Sequence, residues 1–206
     1  MIMAKKKNIN SNGFEYVDLH LPSGTLWAAS NIGADKPSDS GLYFQWGDNK
    51  GYTVDQIEKE KKEFDWYDYK FTSKNADFTK YKANGDKLQL RDDAAHAYMG
   101  GNWHIPSPEQ IQELIDNTTS YWTTNDGIQG IILISNKDTS KYIFIPSAGF
   151  AVNGEITLDG ECGGVWGSAT DLETIEFAKY LCIDYHNARL GFSSRCIGYP
   201  IRGVIG

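Results

Sequence analysis

Apolar and polar positions alternate along Tyr16-Val17-Asp18-Leu19-His20-Leu21, the period-two pattern of a half-buried strand. Pro22-Ser23-Gly24 supplies a turn and Thr25-Leu26-Trp27-Ala28 a second strand, so the chain opens on a predicted hairpin. Gly41 to Gly47 (GLYFQWG) predicts a short aromatic strand. Residues 48 to about 90 then lose all period. They are polar and rich in tyrosine, with one charged stretch, Asp55 to Lys62, that suits a helical turn or two. A segment this long without periodicity predicts an insertion lying on the surface.

Asp92 to Met99 reads as a helix with acids at its N-terminal end, where they suit the helix dipole, and Gly100-Gly101 stops it. A second helix follows. Ser107 is its cap, Pro108 its first residue and Gln110 the partner in a capping box, with Ile111, Leu114 and Ile115 on one face. Asn117-Thr118-Thr119 ends it. The remainder predicts short strands: Ile128 to Ser135 and Lys141 to Ile145 around an Asn136-Lys137-Asp138 turn, then Val165 to Ser168, Ala178 to Asp184, Ser193 to Ile197, and Ile201 to Val204. Strands, two helices and more strands make an α+β plan with the helices segregated from the sheet. Residues 1 to 13 read as a flexible polar arm and 14 to 206 as one domain.

Composition narrows the function classes. A net charge of -7 argues against a surface that tracks phosphates, because nucleic-acid binding needs a basic stripe and only Lys5-Lys6-Lys7 offers one. That run reads as a solvated tail. Cys162, Cys182 and Cys196 leave an odd thiol and show no CxxC spacing, and the 4 His are scattered, so neither a disulfide scaffold nor a zinc site is expected. No run of ~18 apolar residues is present, so no membrane span is expected. The basic start has no apolar run behind it, so no signal peptide is expected. The 13% aromatic content matters because large rings hold together a fold with little regular structure.

Five segments, taken in order, resemble the Fibrobacter succinogenes major paralogous domain found in Bacteroidetes proteins and their phages. They are Tyr16 to Ala34, Gly41 to Asp48, Asp92 to Ile115 (DDAAHAYMGGNWHIPSPEQIQELI), Ile143 to Gly149 and Gly163 to Ser168. The resemblance extends through Phe177 to Asp184 and Gly198 to Arg202. It implies a C-type lectin-like fold, two helices with an irregular antiparallel sheet and long loops, of the formylglycine-generating-enzyme branch. That branch includes retroelement-diversified proteins whose C-terminal strands and loops carry the ligand surface, corresponding here to about Gly164 to Arg202.

In that stretch Trp166, Phe177, Tyr180 or Leu181, Ile183, Ile197 and Ile201 read as frame. Tyr185, His186, Asn187 and Arg189 read as exposed contacts, rigid aromatics beside adaptable polar groups. Glu173 and Tyr199 complete the candidate ligand-binding set. No catalytic residue, cofactor or metal is expected. Cys182 and Cys196 stand in surroundings unlike those of the oxidase that the branch is named for, and His96, His104 and His186 have no nucleophile-like neighbour. Trp27, Trp46, Trp103 and Trp166 read as buried scaffold. Trp66 is evenly divided between local packing and an interface.

The expectation from this pattern is a non-catalytic adhesion module of a phage virion (a head or tail fibre or a decoration protein) that binds a host-surface glycan or protein. The N-terminal arm would then meet other virion proteins, and a homo-oligomer, a trimer by analogy with fibre-borne modules, is expected. The alternatives are a bacterial surface or secreted binding protein and a degenerate formylglycine-generating-type enzyme.

Overall fold

The opening alternation forms β2 (Glu15–Asp18), which pairs antiparallel with β3 (Leu26–Ala28), Val17 opposite Trp27. The computed structural model describes residues 8–10, 12–75 and 77–206. β1 (Asn8–Ile9) joins the outer edge of β2, and β12 (Val204–Ile205) closes on β3, giving a four-stranded sheet in the order β1-β2-β3-β12. Asn8 and Ile9, expected within the flexible arm, belong to a sheet; residues 1–7 lie outside the described residues.

Three α-helices are present among the described residues, the first where the sequence suits a helical turn or two at Asp55 to Lys62. α1 (Val54–Glu60) carries a capping box made by Thr53 and Gln56. α2 (Ala94–Met99) is shorter than expected because Asp93 is its cap and not its first turn; its carboxylate accepts from His96 N at 2.9 Å and from Ile105 N at 2.8 Å. α3 (Pro108–Asp116) has the expected reciprocal box, Gln110 N to Ser107 Oγ at 3.2 Å and Ser107 N to Gln110 Oε1 at 2.9 Å. No helix among the described residues is long and apolar enough to cross a membrane.

Two antiparallel three-stranded sheets follow. One has β5 (Ile128–Ser135) between β4 (Thr118–Asn125) and β6 (Tyr142–Pro146); the other has β10 (Phe177–Asp184) between β9 (Cys162–Thr170) and β11 (Ala188–Ser194). A hairpin of β7 (Ala148–Val152) and β8 (Glu155–Asp159) lies between them in the chain. The architecture is α+β and mostly antiparallel. Leu19 and Trp27 from the opening hairpin, Ile111 and Leu114 of α3, and inward residues of β5, β6 and β10 make one apolar core.

Three expectations change. Gly41 to Gly47 is extended but forms only single bridges, Tyr43 to Tyr52 and Phe44 to Tyr199, so it is a core-filling segment and not a strand in a sheet. The strand expected at Ser193 to Ile197 lies earlier, as β11. The segment 48–90 is not a surface excursion: Phe64, Tyr69, Phe71 and Tyr81 are buried, and Phe71 meets both tyrosines edge to face at 5.8 and 5.2 Å. Rings that reach the core from irregular backbone leave no period in the sequence. Trp66 belongs to the same cluster, against Tyr69 and Phe78.

Candidate functional site

The last residue of β10, Asp184, builds the exposed tip that follows it. Its Oδ1 accepts from the backbone N–H of His186 at 2.8 Å and of Asn187 at 3.2 Å, an Asx-type turn that reverses the chain into β11. Its other oxygen accepts from the Arg189 guanidinium, which also donates to Asn187 Oδ1 at 3.3 Å. Burial opposes ionisation of Asp184, but the Arg189 and backbone hydrogen bonds outweigh it and hold the carboxyl below the usual range; Arg189 is raised in return. The turn is thus pinned by a charged group at neutral pH.

On this frame Tyr185 is 71% exposed. Its ring meets Trp122 of β4 edge-on at 6.5 Å and His186 at 5.5 Å. Four of the six expected contact residues, Tyr185, His186, Asn187 and Arg189, are therefore neighbours on one small exposed surface, with Trp122 beside Tyr185. Trp122 was missed by sequence reasoning, which placed no strand at 118–125. Its signal was β-propensity (Thr-Thr-Ser-Tyr-Trp-Thr-Thr), not hydrophobic alternation.

The other two do not join them. Glu173 is exposed, but it sits in the connection from β9 to β10, and the 8 residues of β10 put that connection roughly 23 Å from the tip at the usual strand rise. Tyr199 is a correction. It is only 5% exposed, with Trp166 at 5.0 Å, Tyr180 at 4.9 Å and Phe150 at 5.7 Å around its ring, and burial raises its phenol. It is scaffold.

The candidate nucleophiles are packed groups. All three cysteines are free thiols; Cys182 and Cys196 are buried, and burial raises Cys162 and Cys196. Among the described residues no group of three His, Cys, Asp or Glu side chains is placed to hold a metal ion. Two buried arginines also escaped sequence reasoning. Arg195 donates to Tyr69 Oη, Tyr81 O and Ile175 O at 2.8 to 3.0 Å and lies over the rings of Trp46 and Phe78. Arg202 donates to Asn31 Oδ1 at 2.8 Å and Ala29 O at 2.9 Å, and burial lowers its pKa to about 9. Both are structural cations that bind irregular loops to the core.

Three clefts of about 420, 350 and 370 Å³ open elsewhere. The first runs between β2 (Tyr16, Val17) and β6 (Tyr142, Phe144), with Asp126 at its rim. None of the three is lined by Tyr185 to Arg189. The chain matches no family model, no curated protein and no solved structure.

Proposed function

We propose that this chain is a non-catalytic recognition domain with a C-type lectin-like fold, and that the β10–β11 tip is its contact surface. One observation carries the reading. An aromatic side chain, Tyr185, is held out in solvent by a turn that is itself locked by Asp184 and Arg189. Exposing a large ring costs apolar burial, and a rigid aromatic flanked by adaptable polar groups is the composition of binding surfaces. An exposed ring beside polar side chains suits contact with a host-surface glycan or protein. The packed thiols weigh against the formylglycine-type alternative, because a reactive thiol needs an accessible, lowered-pKa site.

The resemblance in Tyr16 to Ala34 and Asp92 to Ile115 to a domain of Bacteroidetes proteins and their phages supports the reading, within this proposal, of a phage-borne module that recognises Bacteroidetes host cells. Labelled protein applied to a panel of Bacteroidetes strains is the test. Binding abolished by protease treatment of the cells supports a protein receptor, and binding abolished only by periodate makes the ligand a glycan. Absence of binding to any strain contradicts the proposal. An antibody to the domain that labels purified virions supports the phage assignment, and labelling of the bacterial surface instead favours the bacterial alternative.

A further inference from the structure

The edge of β4 is built unlike the other strand edges. The backbone of Ser135 donates to Lys141 O, and that of Ser147 to Gln129 O, so odd residues of β5 face β6 and even ones face β4. Thr119, Tyr121, Thr123 and Asn125 stand opposite those even residues and turn their backbone groups toward β5. Ser120, Trp122 and Thr124 consequently turn theirs away from the sheet. Among the described residues no backbone group meets them there, and β4 ends its sheet.

Natural edges of this length are guarded by charge, proline, bulges or a covering element. β11, the edge of the other sheet, carries Arg189, and β6 ends in Pro146. β4 has no such guard: its eight residues, TTSYWTTN, contain no charge and no proline, and β5 (IQGIILIS) and the YIFI of β6 continue the uncharged surface. Tyr121 on the outer face is 58% exposed. A two-fold interface sets a strand against its own copy, so a strand without charge meets no like charge there.

We propose that the β4 edge is a pairing site for a second copy of this chain. A two-fold axis through Trp122 sets Ser120 against Thr124 of the second copy and Trp122 against itself, engaging these three of the four outward residues (the fourth is Thr118) and making one six-stranded sheet. On the outer face Tyr121 then lies beside Thr123 and Thr119 beside Asn125, so no charge meets a like charge despite the chain's net charge of -7. Strand pairing of this extent belongs to small interfaces, below ~1,200 Å², and its association depends on concentration. Because Trp122 also backs Tyr185, the two tips come together near the axis; this consequence rests on the recognition proposal, whereas the pairing does not.

The test is sedimentation equilibrium of the full chain from ~1 µM to ~1 mM, the span of weak association constants. Hydrogen exchange of the Ser120, Trp122 and Thr124 amides is followed over the same concentrations. A rise from monomer to dimer mass, with those three amides slowing in step, is expected. Thr124→Pro and Ser120→Pro remove an outward N–H without touching the β5 ladder, so each is expected to stay folded by near-UV circular dichroism and to weaken the dimer at least ~100-fold. If either variant fails to fold, the exchange of the unmodified chain decides alone. A monomer throughout, or any oligomer in which those amides exchange independently of concentration, overturns the proposal. Host-cell binding by Tyr185→Ala is a separate measurement, so loss of recognition and loss of pairing are told apart.

Discussion

The two turns that end β10 use the same device and display different residues. At one end Asp184 accepts from the N–H groups two and three residues on and pairs with Arg189. At the other Asp171 accepts from Glu173 N at 2.9 Å and Thr174 N at 3.2 Å and pairs with Lys179 at 2.5 Å. The Asp171 side chain is 8% exposed and the Asp184 side chain 24%, so the first turn is anchored by the more deeply buried carboxylate, while Leu172 and Tyr185 are about equally exposed. The first displays Leu172 and Glu173, with Leu172 leaning toward Gly85; the second displays Tyr185 and His186, with Trp122 behind them. Rigidity is common to both turns. An exposed tyrosine within the turn itself belongs to one, and that difference carries the proposed binding site.

The largest expected effect comes from breaking the turn with the buried anchor. Asp171→Ala leaves Lys179 and two N–H groups without their partner in a mostly buried setting and is expected to cost about 3 kcal/mol, read by urea unfolding, with host-cell binding by the folded protein unchanged. Tyr185→Ala is expected to do the reverse: binding falls about 30-fold, near 2 kcal/mol, while the melting temperature stays put. Asp184→Ala should cost about 1 kcal/mol and speed exchange at the His186 and Asn187 amides. Acid tests both turns together. Asp171 and Asp184 are each held below the unfolded carboxylate value of about 3.9, so their stabilisation is complete above that pH and is lost as pH falls through the lower folded values. Protection of the amides of residues 173, 174, 186 and 187, measured against the intrinsic exchange rate at each pH, should therefore be constant from neutrality to about pH 4 and fall below it. Glu173→Ala is the smallest case, within about 0.5 kcal/mol in stability and without effect on binding.

What the sequence made legible follows from where local physics dominates. The opening hairpin and α3 were readable because alternation and a capping box are local signals. The tip was readable in part: Tyr185 to Arg189 follow a strand and are too polar to be core. Tyr199 was not, because its burial is made by Phe150, Trp166 and Tyr180, which come from distant segments. Glu173 was correctly exposed, but position along the chain does not tell which end of β10 a loop occupies. The burial of Arg195 was equally hidden, since it depends on rings supplied by the segment 48–90.

The central claim is that recognition resides in the Asp184 turn and not in its counterpart. The most direct measurement compares binding of Tyr185→Ala and Leu172→Ala to cells of a strain that binds the unmodified chain, with both variants shown to be folded. The account predicts a loss of about 30-fold for Tyr185→Ala and none for Leu172→Ala. Equal binding by both variants, or a loss confined to Leu172→Ala, would contradict it.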